Sequence, residues 1–147
     1  MGEKGDATLA HIIYAEDDEL MADIVRSTLQ DDGHVVGIAD DGDNALDAIK
    51  AKNPDLVILD CNMPGLSGIT VLERMRVDKN LYQTPVLMLT SRSGESNVNL
   101  AKFAGANEYL EKPFDREYLA YIVDEMLTKA AFFASRNPAE AATAYRK

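Results

Sequence analysis

Acidic residues follow two short apolar runs of the sequence, at points where strands would end. Glu16, Asp17 and Asp18 stand together after one run, and Asp60 stands after another. Carboxylates that lie close together raise one another's pKa unless a hard cation neutralises them through their oxygens. If the strands bring these acids together, they predict a site for a divalent cation such as Mg²⁺, with one carboxylate left to act as a nucleophile.

A hydroxyl group and an ammonium group occupy the corresponding positions after two later apolar runs. Thr90 and Ser91 follow one of these runs, and Lys112 follows the last and weakest one. Positive charge and hydroxyl donors stabilise the oxygens of a phosphoryl group during its transfer. Together with the acids, these residues predict phosphoryl transfer at one acidic, cation-dependent site.

The apolar runs show little alternation between apolar and polar residues, which is typical of strands buried on both faces of a parallel sheet. The five runs are His11 to Ala15, Val35 to Ala39, Leu56 to Leu59, Val86 to Leu89 and the weaker Ala106 to Leu110. Polar residues that follow such strands meet at the carboxyl edge of the sheet, where ligands bind in folds of this class. The runs therefore supply the scaffold that the chemistry needs.

Segments with helical spacing separate the runs. They cover about residues 20 to 33, Asn44 to Lys50, Ser67 to Arg76, about Ser93 to Ala104, and a last helix that Asp115 opens. The first is predicted to place Leu20, Ile24, Val25 and Leu29 on one face. Strand and helix alternate five times, which predicts an α/β fold with a doubly wound, five-stranded parallel sheet, helices on both faces and the flavodoxin-like strand order 2-1-3-4-5.

The length of 147 residues predicts one domain, which we place at residues 10–130. Residues 1–9 are expected to be a flexible amino terminus, and residues 131–147 the end of the last helix and a tail. A net charge of −10 opposes binding to nucleic acid or anionic lipid. The start of the chain lacks the apolar core of a signal peptide, and no run is long enough to span a membrane, so we expect a cytoplasmic protein.

The order of these motifs resembles the receiver domain of two-component response regulators. The matching motifs are Glu16-Asp17, then Asp60-Cys61-Asn62-Met63-Pro64-Gly65 with Gly68 beyond, then Thr90, then Lys112-Pro113-Phe114. Each motif taken alone has a commoner explanation as a turn, a helix cap or a surface lysine. Their joint occurrence at matching strand ends favours the functional interpretation.

The resemblance implies that Asp60 is the phosphoacceptor. It also implies that Glu16, Asp17, Asp60 and the backbone carbonyl of Asn62 bind Mg²⁺, with Asp17 as the main direct ligand. Mn²⁺ is expected to substitute for Mg²⁺. Asp18, the third acid in the row, is interpreted instead as a residue at the amino terminus of a helix.

The resemblance assigns further roles at the ends of the fourth and fifth strands. Thr90 would form a hydrogen bond with the phosphoryl group, and Lys112 would pair with it. The Lys112–Pro113 peptide bond is expected to be cis. Tyr109 matches the aromatic switch residue of the family, which turns inward as Thr90 moves toward the phosphoryl group.

The implied function is that of a single-domain response regulator. A sensor histidine kinase or a histidine phosphotransfer protein would donate the phosphoryl group, and the chain would catalyse only its own phosphorylation and dephosphorylation. Phosphorylation would change the face formed by the fourth helix, fifth strand and fifth helix, where a downstream protein docks and where two copies could dimerise. Neither nucleic acid nor membrane is an expected partner.

Two residues near the site depart from the family pattern. Glu16 stands where many members have aspartate, and Tyr14 is bulkier than the usual aliphatic residue. Arg92, two positions after Thr90, lies where side chains modulate access of water to the site. We expect these residues to alter the lifetime of the phosphorylated state without abolishing phosphorylation.

Three other functions compete with this one. A receiver fold with a vestigial site would be a constitutive protein-interaction module. A phosphohydrolase with an aspartyl nucleophile would need a general acid at position 62, where Asn62 cannot serve. A flavodoxin-like cofactor binder would need glycines or hydroxyls in the first loop, which is acidic instead.

Overall fold

A computed structural model describes residues 9–91 and 95–136, in which five strands alternate with five helices. The elements in chain order are β1 His11–Ala15, α1 Glu19–Asp31, β2 Val35–Ala39, α2 Gly42–Lys52, β3 Leu56–Asp60, α3 Gly68–Arg76, β4 Val86–Thr90, α4 Glu95–Ala104, β5 Glu108–Glu111 and α5 Arg116–Arg136. All strand pairs are parallel, and the strand order is β2-β1-β3-β4-β5. The predicted fold class and strand order are therefore confirmed.

Burial on both faces, which we predicted for the apolar runs, holds fully for the inner strands β3 and β4. It is wrong for β2, in which Ala39 alone is buried, and for the weaker run of β5, in which Leu110 alone is buried. The physical reason is that both are edge strands with one neighbouring strand each, so less of their surface is covered. The fully buried strands β3 and β4 form the centre of the sheet, and Asp60 and Thr90 are their last residues.

Two apolar layers enclose the sheet. One face packs against α2, α3 and α4 through residues such as Ile49, Leu72 and Ala101. The opposite face packs against α1 and α5 through residues such as Val25 and Val123. Helices on both faces are what a doubly wound sheet requires, because each face of a buried parallel sheet must be covered.

The predicted face of α1 is wrong at Leu20, which is 70% exposed. The buried residues of this helix are Ala22, Val25, Thr28 and Leu29. Successive helical residues are rotated by about 100°, so Leu20 lies on the side opposite Leu29. Because the two positions lie on opposite sides of the helix, Leu20 points to solvent when Leu29 faces the sheet.

Helix ends near the carboxyl edge of the sheet are capped by side chains. Asp18 accepts hydrogen bonds from the backbone N–H groups of Leu20 and Met21 at the start of α1. Ser67 accepts one from the N–H of Thr70 at the start of α3. These caps satisfy donors that the first helical turn leaves without partners, and so they fix where each helix begins.

Within the described residues, no helix combines the length and the apolar character that crossing a membrane requires.

Candidate functional site

Three acids meet at the carboxyl ends of β1 and β3. One carboxylate oxygen of each of Glu16, Asp17 and Asp60 lies within 4.8 Å of the others. The register explains this meeting, because Ala15 pairs with Leu59 and the next residue of each strand is an acid. Glu16 and Asp60 are buried, whereas Asp17 is exposed. The cluster is therefore open to solvent on the side of Asp17.

Lys112 connects the two buried acids. Its Nζ donates to Oε1 of Glu16 at 2.8 Å and to Oδ2 of Asp60 at 3.1 Å. The backbone N–H of Lys112 donates to the carbonyl oxygen of Thr90 at 2.7 Å, which ties the lysine to the end of β4. The peptide bond between Lys112 and Pro113 is cis. One ammonium group thus faces two buried carboxylates.

The loop after β3 holds Asp60 from its other side. The backbone N–H of Asn62 donates to Oδ1 of Asp60 at 3.0 Å. The N–H of Gly68 donates to the carbonyl oxygen of Cys61 at 3.3 Å, which closes the loop. A Cβ atom at position 68 would lie 2.2 Å from the carbonyl oxygen of Asp60, so α3 can begin this close to the strand only with glycine. The proposed cation contact of the Asn62 carbonyl stays a prediction.

A second tight approach shapes the same loop. Gly65 adopts a φ of +74°, a conformation that side-chain-bearing residues rarely take. The N–H of Gly42 at the start of α2 donates to the carbonyl oxygen of Pro64 at 3.1 Å. The Met-Pro-Gly turn is therefore anchored to a neighbouring helix. Its backbone conformation favours glycine at position 65, independently of the resemblance to the family motif.

Glu16 has two further hydrogen-bond partners that connect it to its own strand and to α1. The hydroxyl of Tyr14 donates to Oε1 of Glu16 at 2.6 Å. The backbone N–H of Asp18 donates to Oε2 of Glu16 at 3.3 Å. Sequence reasoning missed the contact between Tyr14 and Glu16. The signal was present, because residues two apart in a strand point to the same face.

Burial and crowding perturb the ionisation of these groups. Burial raises the pKa of Glu16, hydrogen bonds from Lys112 and Tyr14 act in the opposite direction, and the nearby charge of Asp60 raises it further. For Lys112, burial acts to lower the pKa, but hydrogen bonds and charge from Glu16 and Asp60 outweigh it and raise the pKa. The lysine therefore stays protonated, and the excess negative charge beside it favours a cation.

The donor set fits Mg²⁺. Hard divalent cations take carboxylate and carbonyl oxygens, and Mg²⁺ commonly uses one or two carboxylates while retaining waters. Asp17 is exposed and Asp60 lies beside it, so a hydrated ion can approach the cluster from solvent. Asp18 lies outside the cluster and caps α1, in agreement with the interpretation from the sequence.

The structure places the two expected switch residues on neighbouring strands. Thr90 is fully buried at the end of β4, one position beyond Leu89, which pairs with Asp60. Tyr109 is half-buried in β5, where it pairs with Met88 and packs against the core on the α2, α3 and α4 side. The roles of Thr90 and Tyr109 in switching stay predictions.

Other residues whose side chains could do chemistry or bind partners lie outside the acidic cluster or have structural roles. His34 is buried, and its Nδ1 accepts a hydrogen bond from the backbone N–H of Ala10 at 3.1 Å. Cys61 is half-buried against the core. The aromatic pair Phe132 and Phe133 is exposed near the end of α5. Arg92 lies outside the described residues, as do residues 1–8 and 137–147 of the predicted termini.

Comparisons with known proteins agree with this geometry. The family model of the response regulator receiver domain matches residues 12–124. The transcriptional regulatory protein CseB of Streptomyces avermitilis is 33% identical over 140 residues, which are 94% of this chain and 58% of that protein.

Solved structures show the same likeness. The chemotaxis protein CheY4 of Vibrio cholerae is 31% identical, with a TM-score of 0.76 over 80% of this chain and 98% of that one. The receiver domain of the sensor histidine kinase PA1611 from Pseudomonas aeruginosa is 26% identical, with a TM-score of 0.76 over 82% of this chain and 98% of that one. That structure holds a magnesium ion in its active-site cleft. The chain spans about half the length of the curated relatives it matches.

Proposed function

The chain belongs to the response regulator receiver domains, and from this premise we propose that it accepts a phosphoryl group on Asp60 in a Mg²⁺-dependent reaction. The observation that carries the proposal is the bridge from Lys112 to two buried acids, Glu16 and Asp60. The carboxylate of Asp60 would provide the nucleophile, and the partly buried ammonium group of Lys112 would stabilise the phosphoryl charge.

Asp60 would be the nucleophile. A carboxylate oxygen of Asp60 forms a bond to phosphorus while the phosphorus–nitrogen bond of a phosphohistidine breaks. The leaving imidazole takes the electron pair of that bond and, with a proton on its other ring nitrogen, is a neutral histidine on the donor protein. The contacts from Lys112 and from the N–H of Asn62 orient the Asp60 carboxylate before the reaction. Such preorganisation lowers the barrier because little rearrangement is then needed in the transition state.

The remaining residues would stabilise the charge of the product. Mg²⁺ held by Glu16, Asp17 and Asp60 would offset negative charge on the phosphoryl oxygens. The Lys112 ammonium would exchange one of its carboxylate contacts for a phosphoryl oxygen, and the Thr90 hydroxyl would donate to another. Mn²⁺ has the same preference for oxygen ligands and is expected to substitute.

The output of the domain would be a binding event. Large apolar side chains are exposed on α4 and α5, among them Phe103 at 93% and Tyr121 at 57%. Exposed apolar groups on adjacent elements are typical of docking surfaces. We expect a downstream protein, or a second copy of this chain, to bind the α4, β5 and α5 face in a phosphorylation-dependent way, with Tyr109 and Thr90 as the switch.

Receiver domains are signalling modules rather than conventional enzymes, and this chain would catalyse only its own phosphorylation and dephosphorylation. We propose a histidine kinase or phosphotransfer protein as its donor, and a single-domain, cytoplasmic mode of action through protein partners. The similar transcriptional regulators are longer than this chain. Measuring the size of the native protein therefore tests the single-domain assignment.

Intact-mass measurement after incubation with acetyl phosphate tests the central step. We expect wild-type protein to gain one phosphoryl group in Mg²⁺ and none in a chelator, and Asp60→Asn to gain none. Asp41→Asn is a matched control, because Asp41 caps α2 and asparagine caps a helix equally well. Folded wild-type protein that binds Mg²⁺ but gains no phosphoryl group would favour the alternative of a phosphorylation-independent interaction module.

A further inference from the structure

Tyr14 and Glu16, the two residues that depart from the pattern expected from the resemblance, contact each other. The hydroxyl of Tyr14 donates to Oε1 of Glu16 at 2.6 Å. We propose that Tyr14 is a positioning residue of the cation site, whose buried hydroxyl holds the Glu16 carboxylate so that Oε1 serves Lys112 and Oε2 faces the cation. This inference rests on the proposed Mg²⁺ dependence of the site.

The position of Tyr14 makes its hydroxyl a fixed donor. Tyr14 is fully buried in β1, on the sheet face that α1 and α5 cover. It lies between β2 and β3, where it pairs with Ile38 and Ile58. A large ring enclosed in this way has little freedom, and a buried hydroxyl requires a hydrogen-bond partner. Glu16 is that partner.

Counting hydrogen bonds on the two carboxylate oxygens assigns them different roles. Oε1 accepts from the Tyr14 hydroxyl and from the Lys112 ammonium, which accounts for its two lone-pair directions. Oε2 accepts one backbone N–H, that of Asp18, at 3.3 Å. Oε2 therefore retains acceptor capacity, and the Tyr14 hydroxyl keeps the carboxylate from turning this oxygen away from the cluster.

The length of the glutamate side chain is part of the arrangement. Aspartate is one methylene shorter, so an aspartate at position 16 would withdraw its carboxylate from the Tyr14 hydroxyl. A tyrosine at position 14 then matches a glutamate at position 16, and removing either partner is expected to cancel the effect of the other. This dependence distinguishes positioning through Glu16 from a general packing role of the tyrosine ring.

A double-mutant cycle on Mg²⁺ affinity, measured by calorimetric titration, tests the proposal. The proteins are wild type, Tyr14→Phe, Glu16→Asp and the double variant. Phenylalanine keeps the buried ring and removes only the hydroxyl. Tyr82→Phe is the matched control, because it removes a tyrosine hydroxyl from the loop before β4, at the opposite edge of the sheet from the acids. Thermal melting confirms that each variant is folded.

We expect Tyr14→Phe to weaken Mg²⁺ binding by about tenfold, the usual scale for a partner that orients a metal ligand. In the Glu16→Asp background the same substitution is expected to change the affinity by less than about twofold, since the coupled contact is already lost. In phosphorylation by acetyl phosphate, the half-saturating Mg²⁺ concentration should rise while the rate at saturating Mg²⁺ is kept.

Three results would overturn the proposal. Unchanged Mg²⁺ affinity in Tyr14→Phe would remove the role of the hydroxyl, and equal losses in both backgrounds would show that Tyr14 does not act through Glu16. Wild-type protein that binds no Mg²⁺ would overturn this inference together with the metal dependence of the proposed function, whereas the first two results leave that function intact.

Discussion

The two edges of the sheet each hold a cationic side chain, but they satisfy it in opposite ways. At the carboxyl edge, Lys112 faces the carboxylates of Glu16 and Asp60. At the amino edge, the guanidinium of Arg76 donates only to neutral oxygens in the described contacts. These are the carbonyl oxygens of Gly105 at 3.0 Å, Leu81 at 3.4 Å, Tyr82 at 3.2 Å and Thr84 at 2.8 Å, and Oδ1 of Asn107 at 3.0 Å.

The difference separates a charge with a structural role, that of Arg76, from the charge of Lys112, to which we assign a functional role. Arg76 joins the end of α3 to the loop before β4 and to the turn before β5 through fixed dipoles. The same Asn107 oxygen also accepts the N–H of Val86, so the contact extends into the sheet. The acidic edge has more negative than positive groups in its cluster, and in our proposal a bound cation offsets this excess. Fixed dipoles can only stabilise the fold, whereas an exchangeable ion would let the acidic edge change state, as the proposed function requires.

Removing the guanidinium should have the largest effect on stability. Arg76→Met removes five hydrogen bonds, among them those to the partly buried carbonyl oxygens of Gly105 and Thr84, and we expect the free energy of unfolding to fall by about 3–5 kcal/mol. Urea unfolding with and without Mg²⁺ measures this loss, which should be the same in both conditions. Arg26→Met is the control, because Arg26 is an exposed partner of Asp23 and its removal should cost under about 0.5 kcal/mol. If Mg²⁺ restored the stability of Arg76→Met, the two edges of the sheet would not differ in their response to the cation.

Removing the ammonium should have a smaller effect that the cation partly reverses. Lys112→Met leaves two buried carboxylates facing each other. Because the cluster is open to solvent at Asp17, we expect less than the full cost of breaking a buried ion pair, a loss of about 2–3 kcal/mol in a chelator. Saturating Mg²⁺ should restore part of this stability, because it supplies the missing positive charge. The rate of phosphorylation by acetyl phosphate should still fall by about a hundredfold. Lys50→Met, at an exposed position of α2, is the control. A loss unaffected by Mg²⁺ would contradict the prediction.

The pH dependence of stability should show the smallest of these effects. The folded protein raises the pKa of Glu16 above its ordinary value of 4.5, chiefly by burial, so the folded state holds this proton more tightly than the unfolded state. The stability from this group is full below the ordinary pKa and is lost as pH rises through the raised pKa. A difference of one in pKa between the folded and unfolded states corresponds to about 1.4 kcal/mol in the free energy of unfolding.

Glu16→Gln isolates that contribution. In a chelator, we expect wild type to lose stability relative to Glu16→Gln as pH increases above 4.5, and Mg²⁺ to reduce the difference by stabilising the ionised carboxylate. Chemical unfolding of both proteins between about pH 5 and pH 8 provides the measurement, because this range lies above the ordinary pKa of a glutamate. Parallel stability curves for the two proteins would show that ionisation of Glu16 is not linked to folding.

Much of the fold and the site was predictable because the relevant signals are local. Apolar runs separated by helical spacing predicted five strands and five helices, and parallel strands must place their carboxyl ends at one edge. That rule is enough to bring Glu16, Asp60 and Lys112 together from distant positions. The capping role of Asp18 followed from the preference of acids for helix amino termini.

Only the tertiary structure decided which donors meet which acceptors. The partners Arg76 and Asn107 are 31 positions apart, and no spacing in the sequence relates a helix end to a turn before a strand. Leu20 faces solvent because the packed helix turns Leu29 inward. The hydrogen bond of Tyr14 to Glu16 needed both the strand geometry and the enclosing core. Sequence periodicity specifies elements and their order, whereas hydrogen bonds depend on distances of a few tenths of an ångström, which packing alone sets.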